Sequence, residues 1–443
     1  MSISARTRLP FEVWALVAGG FAVALGYGVV APAIPQFALE FRVSNFAASA
    51  IVSAFALMRL VSAPLAGWVI SRFGERATYT TGILIVAVST GAAALATNYP
   101  QFLLLRGAGG IGSAMFSIAA TALLAKVAPP EARGRVASLN AAGFLLGGLV
   151  GPVLGGLVAV FGLRAPFVFY FFTLIVAASV VAVALRGSHA AASPRSRRQA
   201  HRSGAARTRA NESSATELRA TGPRATESGS TGSLDAERHA ALPSPEPELS
   251  LRAAVRVPQF RSLLFSVFSF GWASFGVRVS LIPLLVAVTF DGDATAAAWV
   301  LAAYAAGNAM LIFPSGRWND TVGRKPMLVI GMSVLALSYV AIAFAPNLWV
   351  LAAILLVSGA GSALANPGQQ AVLADVLARR RGGQVVAAYS MASDLGGVLG
   401  PSLAGLVVDL AGFGPAFGLT AALLASGAIA WVVVKDSRSL ATQ

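Results

Sequence analysis

The sequence predicts an all-α integral membrane protein of twelve transmembrane helices, built as two pseudo-symmetric six-helix bundles. Three observations predict it: apolar runs of membrane-crossing length, a polar break after the sixth, and a repeat that brings the second half into register with the first.

The runs come first. The chain of 443 residues is 56% hydrophobic and 12% charged, with a mean hydropathy of +0.72. A soluble domain carries about twice that charge. About 20 apolar residues cross a hydrocarbon core about 30 Å thick, and runs of that length recur throughout. Only helices or closed barrels satisfy backbone polar groups in lipid, and these unbroken runs lack the short alternation of a barrel. The expected spans are 11–38, 46–70, 77–96, 100–127, 137–162, 165–186, 260–290, 295–315, 326–346, 348–378, 385–410 and 414–434. The first run is too long for a signal-peptide core and reads as a retained span.

The break follows the sixth span. Residues 187–258 are rich in Ser, Arg, Ala, Glu, Thr and Pro, as in "SPRSRRQAHRSGAARTRA". Such a segment buries too little apolar surface to offset chain entropy and reads as a disordered linker. It separates bundles at 1–186 and 259–443. No aromatics interleave with its basic residues, so nucleic acid is not an expected partner.

Charge sets the topology. With the N-terminus inside, fifteen Lys and Arg fall in the inner loops and tails, against Arg42 and Arg164 in the outer ones. The positive-inside rule then puts both termini and the linker in the cytoplasm. The net charge of +15 is mostly topological.

The third observation is the repeat. A constant shift of 249 positions pairs Gly67 with Gly316, Gly74 with Gly323, Gly110 with Gly359 and Gly134 with Gly383. The same shift pairs "GGLVGPVLGGLV" at 147–158 with "GGVLGPSLAGLV" at 396–407. Duplicated six-helix halves are the pattern of transporters whose halves rock about a central site.

With these motifs in place, the sequence resembles the major facilitator superfamily over nearly all of the chain outside the linker. "GRWNDTVGRK" is similar to that family's loop Gly-x-x-x-Asp-x-x-Gly-Arg-Lys, through Gly316, Asp320, Gly323, Arg324 and Lys325. The first copy, "GWVISRFGER", keeps Gly67, Arg72, Gly74 and Arg76 but has Ser71 where the family usually has Asp. The resemblance implies a conformational latch on the inner face. Its glycines allow tight turns, and Asp320 is expected to face a helix N-terminus of the opposite half. The alternative is that these residues only turn the chain and anchor it to lipid headgroups.

"GGLVGPVLGG" in the fifth span resembles the motif of the superfamily's drug:proton antiporters, through Gly147, Gly151, Pro152, Gly155 and Gly156. That implies efflux; the plainer reading is a seam of small residues for close helix packing. "LLLRGAGGIGSA" resembles the family's fourth-span motif, which implies a part for Arg106 in proton coupling or anion attraction. A guanidinium stays protonated, so Arg106 acts only through a neighbour.

Four charges fall well inside spans: Arg59, Arg106, Arg278 and Asp394. Each is costly in lipid and is expected to face a cavity or a partner. Asp394 is the only carboxylate among them and is the candidate proton carrier; a purely structural Asp is the alternative. The family's drug antiporters often carry an acid in the first span; here "WALVAGGFAVALGYGVVAPAIP" has none, and Glu12 lies only at the span's end. The three histidines all lie in the linker and cysteine is absent, so neither offers a metal site within the membrane.

For cargo, Phe265, Phe268, Trp272 and Phe275 fall at helical spacing in the seventh span, with Arg278 a turn further. This is expected to form one aromatic wall with a cation, suited to apolar or amphipathic molecules. Tyr27, Arg59, Tyr304 and Asn308 could add polar contacts, as could Asn366, Gln369 and Gln370 of "NPGQQ". Packing or lipid contact is the alternative for the aromatic stripe.

The expected function is an alternating-access secondary transporter, a proton-coupled exporter of hydrophobic or amphipathic drug-like compounds in a bacterial inner membrane. Alternatives are an exporter of a natural metabolite (a sugar, siderophore or lipid-like molecule) and a non-transporting membrane sensor. Small-molecule cargo, protons and lipid are the expected partners, with the protein a monomer. No cofactor is expected. The Gly-rich stretch at 107–112 lies within a span, not after a strand, so neither a nucleotide site nor an enzyme is expected.

Overall fold

The computed structural model describes residues 9–129, 132–186, 249–377 and 382–437. Helices account for nearly all of them, and none is in a β-strand. Eleven helices among the described residues are long and apolar enough to cross a membrane. The twelfth, Glu75–Ala93, occupies the place of the third span and is made less apolar by Glu75, Arg76 and four threonines.

The first span is Phe11–Val30, extended past a turn by Ala33–Leu39. Asn45–Phe73, Glu75–Ala93, Tyr99–Val127, Arg133–Ala159 and Ala165–Ala184 complete the first lobe. The seventh span comprises Pro258–Phe270, a π-helical segment Gly271–Val277, and Arg278–Thr289. Ala294–Thr321, Arg324–Ile342, Leu348–Leu377, Gly383–Ala411 and Phe413–Val433 complete the second lobe. Residues 187–248 of the expected linker lie outside the described residues. Its last residues are helical at Leu251–Arg256, where Ala254 is buried against Phe260, Leu263 and Trp431.

Lipid gives apolar side chains little reason to leave it for one another, so the helices hold by close packing. Glycines make the approach. A Cβ on Gly151 would stand 2.6 Å from the Leu25 carbonyl oxygen, and one on Gly155 would stand 2.7 Å from that of Val29. The expected small-residue motif therefore seats the fifth span on the first. The repeat does the same in the second lobe, where Gly396 and Gly400 meet the backbone around Trp272. The last glycine of each copy turns to the other lobe: Gly156 toward Ala298 and Gly405 toward Ser49.

Polar contacts join the lobes on the face away from the termini. The Asp409 carboxylate accepts from Asn45 N (3.0 Å), Asn45 Nδ2 (3.0 Å) and Phe46 N (2.9 Å). Those two backbone donors open the second span and have no partner within their own helix. Asp409 thus caps a helix of the opposite lobe, where the dipole favours an anion. Ser53 Oγ donates to Val398 O (2.6 Å) and accepts from Ser402 N (3.2 Å). It is inserted in the hydrogen-bond ladder beside Pro401, a recognised cause of helix kinks. Gln36 Nε2 donates to Pro283 O at 3.2 Å.

Replacing Gly151 by leucine is expected to wedge the first and fifth spans apart and destabilise the lobe by about 1–3 kcal/mol. Gly148→Ala, where a Cβ meets no atom within 4 Å, is expected to leave stability unchanged. Thermal unfolding of the purified protein in detergent checks both.

Candidate functional site

A cavity of about 620 Å³ lies between the lobes. Its lining comes from both. The first lobe contributes Tyr27, Phe55, Arg59, Phe116, Phe144 and Pro152; the second contributes Phe275, Arg278, Asn366, Gln370, Tyr389 and Asp394. This size suits a drug-sized molecule.

The sequence-predicted residues divide into three groups. Tyr27, Arg59, Phe275, Arg278, Asn366, Gln370 and Asp394 line the cavity. Arg106 and Tyr304 stand one layer behind it, and Asn308 does not line it. Arg106 is 3% exposed, with its guanidinium carbon 4.9 Å from the centre of the Phe55 ring. Tyr304 lies under Arg278, whose guanidinium carbon is 4.0 Å from the ring centre. Asn308 Nδ2 donates to Ser362 Oγ at 3.2 Å.

Phe268 and Trp272 form the third group, and here the expected single stripe is corrected. Neither lines the cavity. Trp272 is buried and its Nε1 donates to Thr420 Oγ1 of the twelfth span at 3.1 Å. Phe268 packs beside it, ring centres 6.2 Å apart. The cause is the π-helical segment, whose wider turn carries an extra residue and rotates the remainder of the span. The cavity-facing series therefore runs Val267, Phe270, Phe275, Arg278. Phe270 and Phe275 touch edge-on, 6.1 Å between ring centres, although five positions apart. Side chains support the segment's carbonyls: the Tyr339 hydroxyl donates to Ala273 O (2.7 Å) and Arg278 Nε donates to Ser274 O (3.1 Å).

Sequence reasoning missed Phe55, Phe144, Tyr170, Phe270 and Tyr389, which also line the cavity, as Gln369 does. The repeat offered one signal. Phe55 and Tyr304 occupy equivalent positions, and each carries an arginine over its ring, supplied by the fourth span in one lobe and the seventh in the other.

Asp394 and Arg59 face the cavity from opposite lobes. The Arg59 charge acts on Asp394, but the two are not in ion-pair contact. Arg59 is exposed within the cavity.

On the face that carries the termini, Gly67, Gly134, Gly316 and Gly383 have no atom within 4 Å of where a Cβ would stand. Among the described residues no hydrogen bond or ion pair joins the lobes there. Gly74 and Gly323 both adopt positive φ, 89° and 128°, which a side chain would strain. Arg72 and Asp320 are exposed. The remaining loop residues bind within their own lobe. Arg76 donates to Ala182 O (3.0 Å) and Lys325 Nζ to Val432 O (2.7 Å). Arg324 pairs with Asp375 at 3.1 Å, and Glu75 pairs with Lys126. These two ion pairs occupy equivalent positions of the repeat with their signs exchanged.

The sequence profile of the Major Facilitator Superfamily matches residues 16–284 and 263–442. The chain belongs to that superfamily. With its candidate spans it is a multi-pass membrane protein of that superfamily. Over 154 residues it is 32% identical to Multidrug resistance protein 2 of Bacillus subtilis (strain 168), covering 35% of this chain and 38% of that one. Over 158 residues it is 27% identical to Quinolone resistance protein NorA of Staphylococcus aureus (strain MRSA252), covering 36% and 41%. The matched stretch thus spans about two fifths of these relatives' length. Among solved structures, it resembles a bacterial homolog of the human lysosomal transporter Spinster in an inward-facing, unoccupied conformation. The TM-score is 0.66 at 16% identity, over 98% of this chain and 94% of that one. It also resembles a peptide transporter POT in complex with sulfate (TM-score 0.69, 12% identity, 99% and 96% covered). At these identities the likeness is one of fold.

Phe275→Ala is expected to weaken cargo binding, while Trp272→Phe is expected to leave binding unchanged and lower stability by about 1 kcal/mol through loss of the Thr420 bond. Binding titrations and thermal unfolding of both variants separate the two positions.

Proposed function

We propose that this superfamily member exports hydrophobic or amphipathic small molecules in exchange for protons, by alternating access. In this reading it works as a monomer in a bacterial inner membrane. Bundles 1–186 and 259–443 move about the central cavity, with the termini and the linker at 187–258 in the cytoplasm.

The observation that carries the reading is the inter-lobe cavity, which is clasped by cross-lobe hydrogen bonds on one face and lacks them, among the described residues, on the other. The names of the multidrug and quinolone resistance relatives support efflux. The aromatic lining supports cargo with a large apolar body.

Asp394 is assigned the coupling proton. It is the carboxylate lining the cavity, and Arg59 faces it from the opposite lobe. Arg106, behind Phe55, tunes the site without carrying a proton itself. Tyr27, Arg59, Phe275, Arg278, Asn366 and Gln370 are assigned to cargo contact, with Tyr304 seating Arg278. Phe268, Trp272 and Asn308 act only by holding the wall in place. The loops with Gly67, Arg72, Gly74, Arg76, Gly316, Asp320, Gly323, Arg324 and Lys325 are assigned to the inner-face latch, disengaged in this conformation. Gly147, Gly151, Pro152, Gly155 and Gly156 form the seam on which the first and fifth spans move as a unit.

Asp394→Asn is expected to abolish cargo movement driven by an imposed pH gradient in inverted membrane vesicles while leaving cargo binding intact. Normal gradient-driven flux in that variant would remove the proton assignment.

The outer clasp gives a second test, helped by the absence of native cysteine. With a single cysteine at Val52, which lines the cavity just inside the clasp, Asp409→Ala is expected to speed labelling by an impermeant maleimide from outside. About tenfold is expected, the effect of losing a charge-assisted hydrogen bond.

A further inference from the structure

The ionised groups that line the cavity are mostly cationic. Arg59 and Arg278 line it against the single carboxylate Asp394. Among the described residues, the Arg59 side chain makes no hydrogen bond or ion pair. Arg278 commits Nε to Ser274 O and rests its plane against Tyr304, leaving its terminal nitrogens without a protein acceptor. The Nε2 of Gln369, a residue 1% exposed, has no partner either. Behind the wall, Arg106 Nε is buried and unpaired. Tyr27 of the first lobe lines the same cavity as Arg59 and Arg278.

A buried donor left without a partner, as Gln369 Nε2 is, costs free energy that a ligand acceptor would recover, and the guanidinium of Arg59, exposed within the cavity, is free to meet the same ligand. A cationic cargo would add to the excess positive charge and leave the donors unmet. A carboxylate, sulfonate or phosphate is acceptor-only and can take bidentate hydrogen bonds from a guanidinium. The aromatic remainder of the lining suits an apolar body. We propose that the cargo is an anionic amphipath whose acidic oxygen head is held by Arg59 and Arg278 and whose apolar body lies on Phe55, Phe270 and Phe275.

This rests on the cavity being the cargo site, as proposed above, and names the class of molecule it takes. Export of an anion is also favoured by an inside-negative membrane potential. The head could belong to a soluble small molecule or to a membrane lipid, since both present the same oxygens.

The test uses three probes with one aromatic body: pyrenebutyrate, pyrenebutylammonium and uncharged pyrenebutanol. Equilibrium binding is measured on the full chain in phosphatidylcholine nanodiscs, with empty discs subtracted. Pyrenebutyrate is expected to bind about tenfold or more tighter than pyrenebutylammonium. Arg59→Gln and Arg278→Gln are each expected to reduce that preference by about tenfold, the effect of one charge-assisted hydrogen bond. Pyrenebutanol binding is expected to be equal in all forms, which certifies that the variants are folded. Equal affinity for the two charged probes, preference for the ammonium, absence of binding, or a preference untouched by both substitutions would overturn the proposal. Adding phosphatidylglycerol to the discs separates the sources: competition with pyrenebutyrate identifies a lipid head, and its absence a soluble anion. Flux of the same probes in proteoliposomes tests the transport reading separately. Anion binding without flux defeats export and leaves this inference standing, whereas flux of the ammonium alone defeats this inference and leaves export standing.

Discussion

Close backbone contact between helices is the constraint on which the rest of the structure depends. In lipid the hydrophobic effect does not drive one apolar helix onto another. The lobes are held by glycines that let backbones touch, and those contacts fix where the functional side chains point. A Cβ on Gly110 would collide with the Phe55 carbonyl oxygen, and one on Gly359 would collide with that of Tyr304. These are the residues whose rings carry Arg106 and Arg278. The packing seams therefore set the position of the cavity's charge as well as the shape of the lobes.

The two faces of the molecule hold their helices differently. Away from the termini, Gln36, Asn45, Ser53 and Asp409 bond across the lobe boundary. On the other face, Arg76, Lys325 and both ion pairs bond within a lobe. The first arrangement resists separation of the lobes; the second keeps each lobe rigid and leaves their separation free. Hydrogen bonds suit the clasp because water can replace them on opening, so the net cost of parting is small.

The architecture was legible in the sequence because its causes are local or repeated. Apolar runs of bilayer length gave the twelve helices, and a constant shift between glycines gave the two lobes. The site was legible in part. Arg59, Arg278 and Asp394 stood out because charges inside apolar runs need a reason, and the cavity supplies one. Trp272 could not be placed correctly, since its direction depends on a wider turn in the seventh span that no residue spacing announces. "GWASFGV" is compatible with an α-helix. The wider turn is supported by the Tyr339 hydroxyl, distant in sequence, and by the Arg278 guanidinium. The cap that Asp409 forms on the second span was likewise hidden, because an acid near a span end usually meets water. Phe55 and Tyr389 gave no individual signal among so many aromatic and apolar neighbours.

The repeat also separates packing from chemistry. Positions that seat helices stay equivalent: Gly82 and Gly331, Gly110 and Gly359, Gly156 and Gly405. The ion pairs Glu75–Lys126 and Arg324–Asp375 exchange their signs together, which is consistent with a structural role, since a pair is indifferent to which partner carries which charge. Cavity positions behave otherwise. Arg59 answers to Asn308, Arg106 to Leu355 and Asp394 to Leu145, so each charge occurs in one lobe only. Charges that serve the fold have protein partners at short range, as Asp375 and Asp409 do. Arg59 and Asp394 face each other across the cavity without such contact, the first exposed and the second half-buried. Charges left open to the space between the lobes, with no protein partner to satisfy, are available to whatever enters it, and that is the physical ground for placing cargo and proton there.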